Sequence, residues 1–233
     1  MSPALSPDQL EALRGLSTCA VANAIENFEG RLRNEGFSGP GIRAMFPEQK
    51  PVVGYAVTVK IRSSSPPPEG HIYLEHTEWW NQILKSSAPR IVVIEDVDPQ
   101  VGIGALVGEV HANILKALDC VGVVTNGAVR DLPALHAMGF AAFAGGVSVS
   151  HAYAHLVEIG TPVEIAGLKI ESGDLLHADC HGVISVPPHI VGEIPAVAAR
   201  MIAQEKELKS LCKPGVNVEE LRSMVRKLRN APV

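Results

Sequence analysis

The stretch Leu106 to Leu132, LVGEVHANILKALDCVGVVTNGAVRDL, narrows the folds open to this chain more than any other. From Gly108 to about Leu118 the apolar residues Val110, Ile114, Leu115 and Leu118 recur at helical spacing. Val121, Val123 and Val124 then form a compact β-branched run, which the pair Asn126-Gly127 is expected to close as a turn. Ile91, Val92, Val93 and Ile94 make an earlier run of the same kind. Strand, helix, strand in that order predicts a parallel crossover unit, and with it an α/β fold.

That unit makes a spatial statement. Its helix start and the exit of its second strand share one sheet edge: a helix of about 11 residues runs back about 16 Å, and a strand of about five returns about 16 Å. Glu109 at the helix start should therefore meet Arg130 and Asp131 across 20 intervening residues. The meeting place is the carboxyl edge of the strands, where open α/β sheets take their ligands. The amides of Gly108, Glu109 and Val110 at the helix start would add an anion cradle. Two acids, one arginine and a ring of amide donors suit a small carboxylate held on a divalent cation. A purely structural reading is open too: Asp131 as the cap of a helix through Leu135 and His136, and Glu109 as a complement to a helix dipole.

The same residues carry a family resemblance. GE, then the helix, then VGVVTNGAVRD, together with LSTCAVANAI, PVVGYAVTVK, AAFAGG, PVEIAGLKIESGDLLHAD and GVISVP, fall in family order across much of residues 16 to 187. In these the chain resembles the family of 4-hydroxy-4-methyl-2-oxoglutarate aldolases and regulators of ribonuclease activity A. The resemblance implies a swivelling β/β/α fold with flanking helices. It also implies a trimer or dimer of trimers with sites between subunits, and a Mg2+- or Mn2+-dependent lyase acting on small 2-oxo acids. The aldolases carry an acid, 20 residues, then Arg-Asp; here the first acid is Glu109, where they usually have Asp, which bears on substrate preference. By the same resemblance Asp131 would hold the metal, with Arg130 and Glu109 catalytic. Gly108, Glu109, Val110 and Arg130 would bind substrate. The helix through Ala20 and Ile25 would lie beside the site, and a neighbouring subunit's Glu205, or less directly Glu207, would reach the metal waters. The regulators tend to lack the acid of the Arg-Asp pair, so Asp131 favours the enzyme over a non-catalytic ribonuclease-binding protein. No Gly-rich loop followed by an acid supports the methyltransferase label some family members carry.

Composition sets outer limits. With 233 residues, 46% of them hydrophobic, the chain can bury a sizeable core. It is expected to form one aldolase-like domain over residues 1–233, with a C-terminal helical extension from about residue 188. A formal charge of −5 and scarce aromatics argue against a nucleic-acid surface. No apolar stretch reaches a spanning length and the N-terminus has no signal pattern, so no membrane role and a cytoplasmic setting are expected. Cys19, Cys120, Cys180 and Cys212 lack paired spacing, which fits free thiols.

Elsewhere, short helices are predicted over Pro7 to Leu16 and through Ala20 to Ile25, with Ser17 or Thr18 as a cap. A strand is expected over Val52 to Ile61, with Val57, Val59 and Ile61 on one face. Ser63 to Gly70 (SSSPPPEG) reads as a surface excursion or a lid, and His71 to Leu84 as a helix in which Trp79 and Trp80 pack. Glu95, Asp96 and Asp98 leave a strand as turn acids, with a metal site as the alternative. Ala141 to Phe143 reads as a short strand, and Gly145-Gly146 as a close approach or positive φ. His151 and His155 would share a face if their segment were helical. Val163 to Ile170 reads as a strand broken at Ala166-Gly167. In LLHADCHGV an extended chain puts His177, Asp179 and His181 on one face with Cys180 opposite, a rival zinc site that would make the protein a zinc hydrolase. Helices are predicted over Ile194 to Leu211, with Pro195 in the first turn, and Val218 to Leu228.

Overall fold

The computed structural model describes residues 4–67 and 76–229. In chain order the elements are α1 (Pro7–Arg14), α2 (Thr18–Ile25), β1 (Arg43–Ala44), β2 (Val52–Arg62), α3 (Thr77–Lys85), β3 (Arg90–Asp96), α4 (Glu109–Ala117), β4 (Cys120–Val129) and α5 (Leu132–Ala137). β5 (Ala141–Val147), β6 (His155–Ile159), β7 (Val163–Ile165), β8 (Leu168–Ile170), β9 (Leu175–Asp179), β10 (Gly182–Val186), α6 (Ile194–Leu211) and α7 (Val218–Arg229) complete it.

An eight-stranded mixed sheet runs β1-β5-β4-β3-β2-β9-β10, with β6 added to β2. β2, β3, β4 and β5 are parallel neighbours, as the crossover unit requires. β2 is long enough to divide its other edge: Val52 to Tyr55 pair with β9, and Val59 to Arg62 with β6. The unbroken apolar run of β3 follows from burial on both faces. On one face Val92 and Ile94 join Val57, Val59, Ile61 and Val123 under Trp79, Ile83, Leu115, Leu135 and Phe140. On the other, Ile91 and Val93 meet Val163, Ile165, Leu168 and Ile170 of the β7–β8 hairpin. That hairpin turns at Ala166 (φ 50°) and Gly167 (φ 82°), two adjacent left-handed residues of the kind a two-residue hairpin needs. A third cluster joins α1, α2 and α6 to β9 and β10 through Leu13, Val21, Ile25, Ile184, Ile194 and Val197.

Ser6 and Gln9 form a reciprocal capping box on α1, and Ser17 caps α2 through Ala20 N. Pro195 falls in the first turn of α6, as its missing N–H demands. Trp79 is fully buried in the core.

Several expectations are corrected. Asn126-Gly127 does not end β4; the strand continues through a register shift to Val129. Asn126 instead clamps the end of β3, its side chain accepting from Asp96 N at 2.7 Å and donating to Asp96 O at 3.0 Å. β5 extends to Val147, and Gly145 is there for close approach, since a Cβ would lie 2.1 Å from Asn126 O. His151 and His155 share no helix: His155 opens β6 and His151 lies in the preceding turn. The described part of the helix expected from His71 starts at Thr77; residues 71–75 lie outside the described residues, as do 68–70 of the Pro-rich excursion. Ser63 and Ser64, at its start, are tied to Asp98, which accepts from both amides at 2.6 and 2.8 Å. Asp96 in turn accepts from Asp98 N and Gly102 N, so these acids brace loops, as turn chemistry predicts.

Candidate active site at the carboxyl rim

The Glu109 amide, Arg130 and Asp131 meet at one rim, though not by the equal lengths anticipated, and the exposed Glu109 carboxylate stands at the helix start beside them. α4 has only 9 residues and β4 has 10. The difference is taken up by the connection from β3 to α4, which climbs beside the end of β4. Val107 bridges Val129 in parallel, and Arg130 N donates to Val107 O at 3.1 Å. The rim is thereby raised by one added short pairing, and α4 begins level with Arg130.

Asp131 occupies the N-cap position of α5, but its side chain makes no capping bond there. Its Oδ2 accepts from Glu109 N, the first amide of α4, at 3.0 Å and from Arg130 Nε at 3.3 Å. Its backbone is left-handed (φ 55°, ψ 40°), a conformation that costs a non-glycine residue about 1 kcal/mol or more. The structural reading of Asp131 as a cap for its own helix is therefore replaced: it caps the neighbouring one. The Glu109 amide, followed by the Arg130 guanidinium, holds the Asp131 carboxyl below its ordinary range despite the opposing effect of burial. Both described bonds fall on Oδ2. Oδ1, on a carboxylate kept ionised, is open to a hard divalent cation, which takes one or two carboxylates and completes its shell with water.

Gly108 makes this packing possible. A Cβ there would lie 2.4 Å from Asp131 Oδ2 and 2.8 Å from Arg130 Cγ. Glu109 is exposed at the helix start. Val110, expected on the apolar face of α4, is 58% exposed at the rim; His111, Ala112 and Leu115 face the core instead. Its place in the carboxylate cradle rests on its backbone amide, one of those a first turn leaves without an intrahelical acceptor.

His111 is the residue that sequence reasoning missed. It is buried, stacked on His76 with ring centroids 5.6 Å apart. Burial first, then the nearby charges of His76, His151 and Arg130, lower its pKa to about 4, so the imidazole beside the rim is neutral. The available signal was its i, i+4 relation to Leu115.

The other candidates lie elsewhere. Glu205 pairs with Lys209 of its own helix at 2.9 Å, and α6, which also carries Glu207, packs on α1 and α2. α2 itself rests on α6, β9 and β10. The HAD segment is not extended through His181: the chain reverses at Cys180-His181 between β9 and β10. His177 is fully buried and bonded to Thr18 Oγ1 and Leu13 O, which removes it from any metal set. Asp179, Cys180 and His181 do converge. A cavity of about 680 Å³ between α1, the segment after α2 and the ends of β9 and β10, lined in part by Tyr55 and Arg31, includes none of the rim residues.

Fold and rim together define a mixed α/β protein whose polar groups gather at the carboxyl ends of parallel strands. The chain belongs to the RraA-like family, described as Aldolase/RraA, whose profile matches residues 18–185. An uncharacterized protein of Methanocaldococcus jannaschii is 25% identical over 188 residues, 79% of this chain and 84% of that one. A Halalkalibacterium halodurans protein, provisionally named a 4-hydroxy-4-methyl-2-oxoglutarate aldolase, is 31% identical over 84 residues, spanning 36% of this chain and 40% of its own. In fold the chain is similar to an uncharacterized Pseudomonas syringae protein (TM-score 0.72, 21% identity, 95% of each chain). It is likewise similar to a Streptomyces coelicolor protein titled an unusual member of the RNase ES inhibitor RraA family (TM-score 0.68, 19% identity, 89% of this chain and 99% of that one). The family thus includes proteins named as aldolases and as ribonuclease inhibitors, and its mixed α/β architecture with flanking helices is the one seen here.

Proposed function

We propose that the chain is a divalent-metal-dependent lyase that cleaves 4-hydroxy-2-oxo acids to pyruvate or decarboxylates oxaloacetate. The supporting observation is the meeting of Glu109, Arg130 and Asp131 at one rim, with Asp131 held ionised and in a left-handed backbone.

Asp131 would hold Mg2+ or Mn2+ through its open oxygen, and the bound ion supplies Lewis-acid polarisation of the 2-keto group. Arg130 is oriented by Asp131 and only partly exposed (31%), so its remaining N–H groups can bind the substrate carboxylate or keto oxygen. As the bond between C3 and C4 breaks, its electron pair moves toward C2, and the developing enolate charge is offset by the same guanidinium. The Val110 amide at the start of α4 would add a donor for the carboxylate. For the hydroxy acids Glu109 would take the proton from the C4 hydroxyl through an intervening water and return one to C3; for oxaloacetate C4 leaves as CO2 and only the proton to C3 is needed, which balances either cleavage. The expected setting is a cytoplasmic homotrimer or dimer of trimers in which Glu205 of a second copy adds an acid.

The test is pyruvate release from oxaloacetate and from 4-hydroxy-2-oxo acids, with magnesium, manganese and chelator in parallel. Metal-dependent release abolished by Asp131→Ala supports the reading. No release from either substrate class, together with capture of a ribonuclease, would replace it with the regulator that the inhibitor-named relatives suggest.

A further inference from the structure

The tip of the β9–β10 hairpin carries chemistry that the rim does not use. Its two-residue loop is Cys180-His181, closed by the Asp179–Gly182 pair. Asp179 Oδ1 lies 3.0 Å from His181 Nδ1, and Cys180 Sγ lies 3.4 Å from that same nitrogen. A nucleophile relay would need the thiol and the carboxylate on opposite ring nitrogens. Here sulfur, nitrogen and oxygen face one point, and the three donor atoms lie within 4.8 Å of one another. Ligands around a tetrahedral zinc ion stand roughly 3.5 Å apart, given bonds of about 2.0 to 2.3 Å.

The carboxylate is already fixed for such a role. Asp179 is buried, and its Oδ2 accepts from Thr18 N at 2.8 Å while Oδ1 accepts from His181 N at 2.9 Å. The first of these bonds pins the start of α2 to the hairpin tip. Cys180 and His181 are open to solvent. One thiol and one carboxylate thus meet at a single imidazole nitrogen.

We propose that Asp179, Cys180 and His181 form a second metal site, its shell completed by solvent, for a borderline-soft cation of the zinc or cobalt class at the tip of the β9–β10 hairpin. Thiolate and imidazole donors select such ions over magnesium or manganese, so the site is chemically separate from the rim. On binding, the Cys180 thiol would give up its proton to solvent. His181 would bind as its Nε2–H tautomer and donate the Nδ1 lone pair, its single ring proton sitting on Nε2. His177 stays outside the set, held by Thr18 and Leu13.

The experiment is a Co2+ titration of the chelator-treated full chain, followed by Zn2+ displacement. One equivalent of cobalt should bind with sulfur-to-cobalt charge-transfer absorption, and zinc should bleach that band and raise the thermal midpoint. Cys180→Ser and His181→Asn, both at an exposed hairpin tip, should weaken binding by on the order of tenfold or more. Asp131→Asn should leave the band intact while removing pyruvate release, so the two sites fail independently. A cobalt spectrum without thiolate absorption, or one at full strength in Cys180→Ser, overturns the assignment.

Discussion

The backbone amide of Glu109 donates to the carboxylate of Asp131 at 3.0 Å, so the residue standing at the start of one helix secures the start of another. This bond ties the rim of the crossover unit together. It fixes the Arg130 side chain through the same oxygen and leaves the other carboxylate oxygen open.

Substitutions at Asp131 should separate stability from activity. Asp131→Ala should abolish metal-dependent cleavage and leave a folded protein. Asp131→Gly should do the same with a melting midpoint at or above that of Asp131→Ala, because glycine removes a left-handed strain of about 1 kcal/mol. Turnover assays with thermal melts of both variants check this; full turnover in either would move the metal elsewhere.

Arg130→Lys keeps the charge but not the planar fork. Loss of one oriented donor at a developing oxyanion costs about 100-fold or more in kcat. The variant should show such a loss in pyruvate release, and an unchanged rate removes Arg130 from the chemistry.

Gly108→Ala probes the close approach directly. The new methyl group would force Asp131 and Arg130 aside, at about 1–3 kcal/mol of overpacking. The expected result is a folded protein with turnover reduced far more than its melting temperature. Near wild-type activity would show that the rim tolerates displacement.

His111 predicts a pH dependence. Folded, it accepts a proton only near pH 4; unfolded, it does so near 6.5. Between those values the unfolded state binds more protons, so this contribution is fully present above about pH 6.5 and lost as pH falls toward 4. It amounts to on the order of 2–3 kcal/mol. Denaturant titrations at pH 7.5 and 4.5, as assay conditions (~3 units apart), should show a larger loss for the wild type than for His111→Leu. Equal losses would mean that the imidazole is not held neutral.

The crossover unit could be read from the chain because its signals are local. β-branched runs and a helical period each act over a few residues. The meeting of Glu109 with the Arg130-Asp131 pair was also legible, since a parallel connection brings a helix start and a strand exit to one edge. Val110 and His111 were exchanged because a helical period names a face only to within one residue, and a neutral buried imidazole counts as polar by type. Asn126-Gly127 carries a turn signal in isolation, yet the bonds from Asn126 to Asp96 keep it in the sheet.

By itself the sequence determined the order and type of the main elements, because propensity and hydrophobic period are properties of neighbours along the chain. Only the tertiary structure decided which helix Asp131 caps, which residue of α4 is buried, and that Asp179, Cys180 and His181 face one point while His177 does not. Each of those depends on groups 20 to 160 residues distant or on a reversal of the chain, as the bond between Thr18 and Asp179, 161 positions apart, makes plain. Pairings of that span are set by packing and by the need of buried polar groups for partners, neither of which is written in any short stretch of sequence.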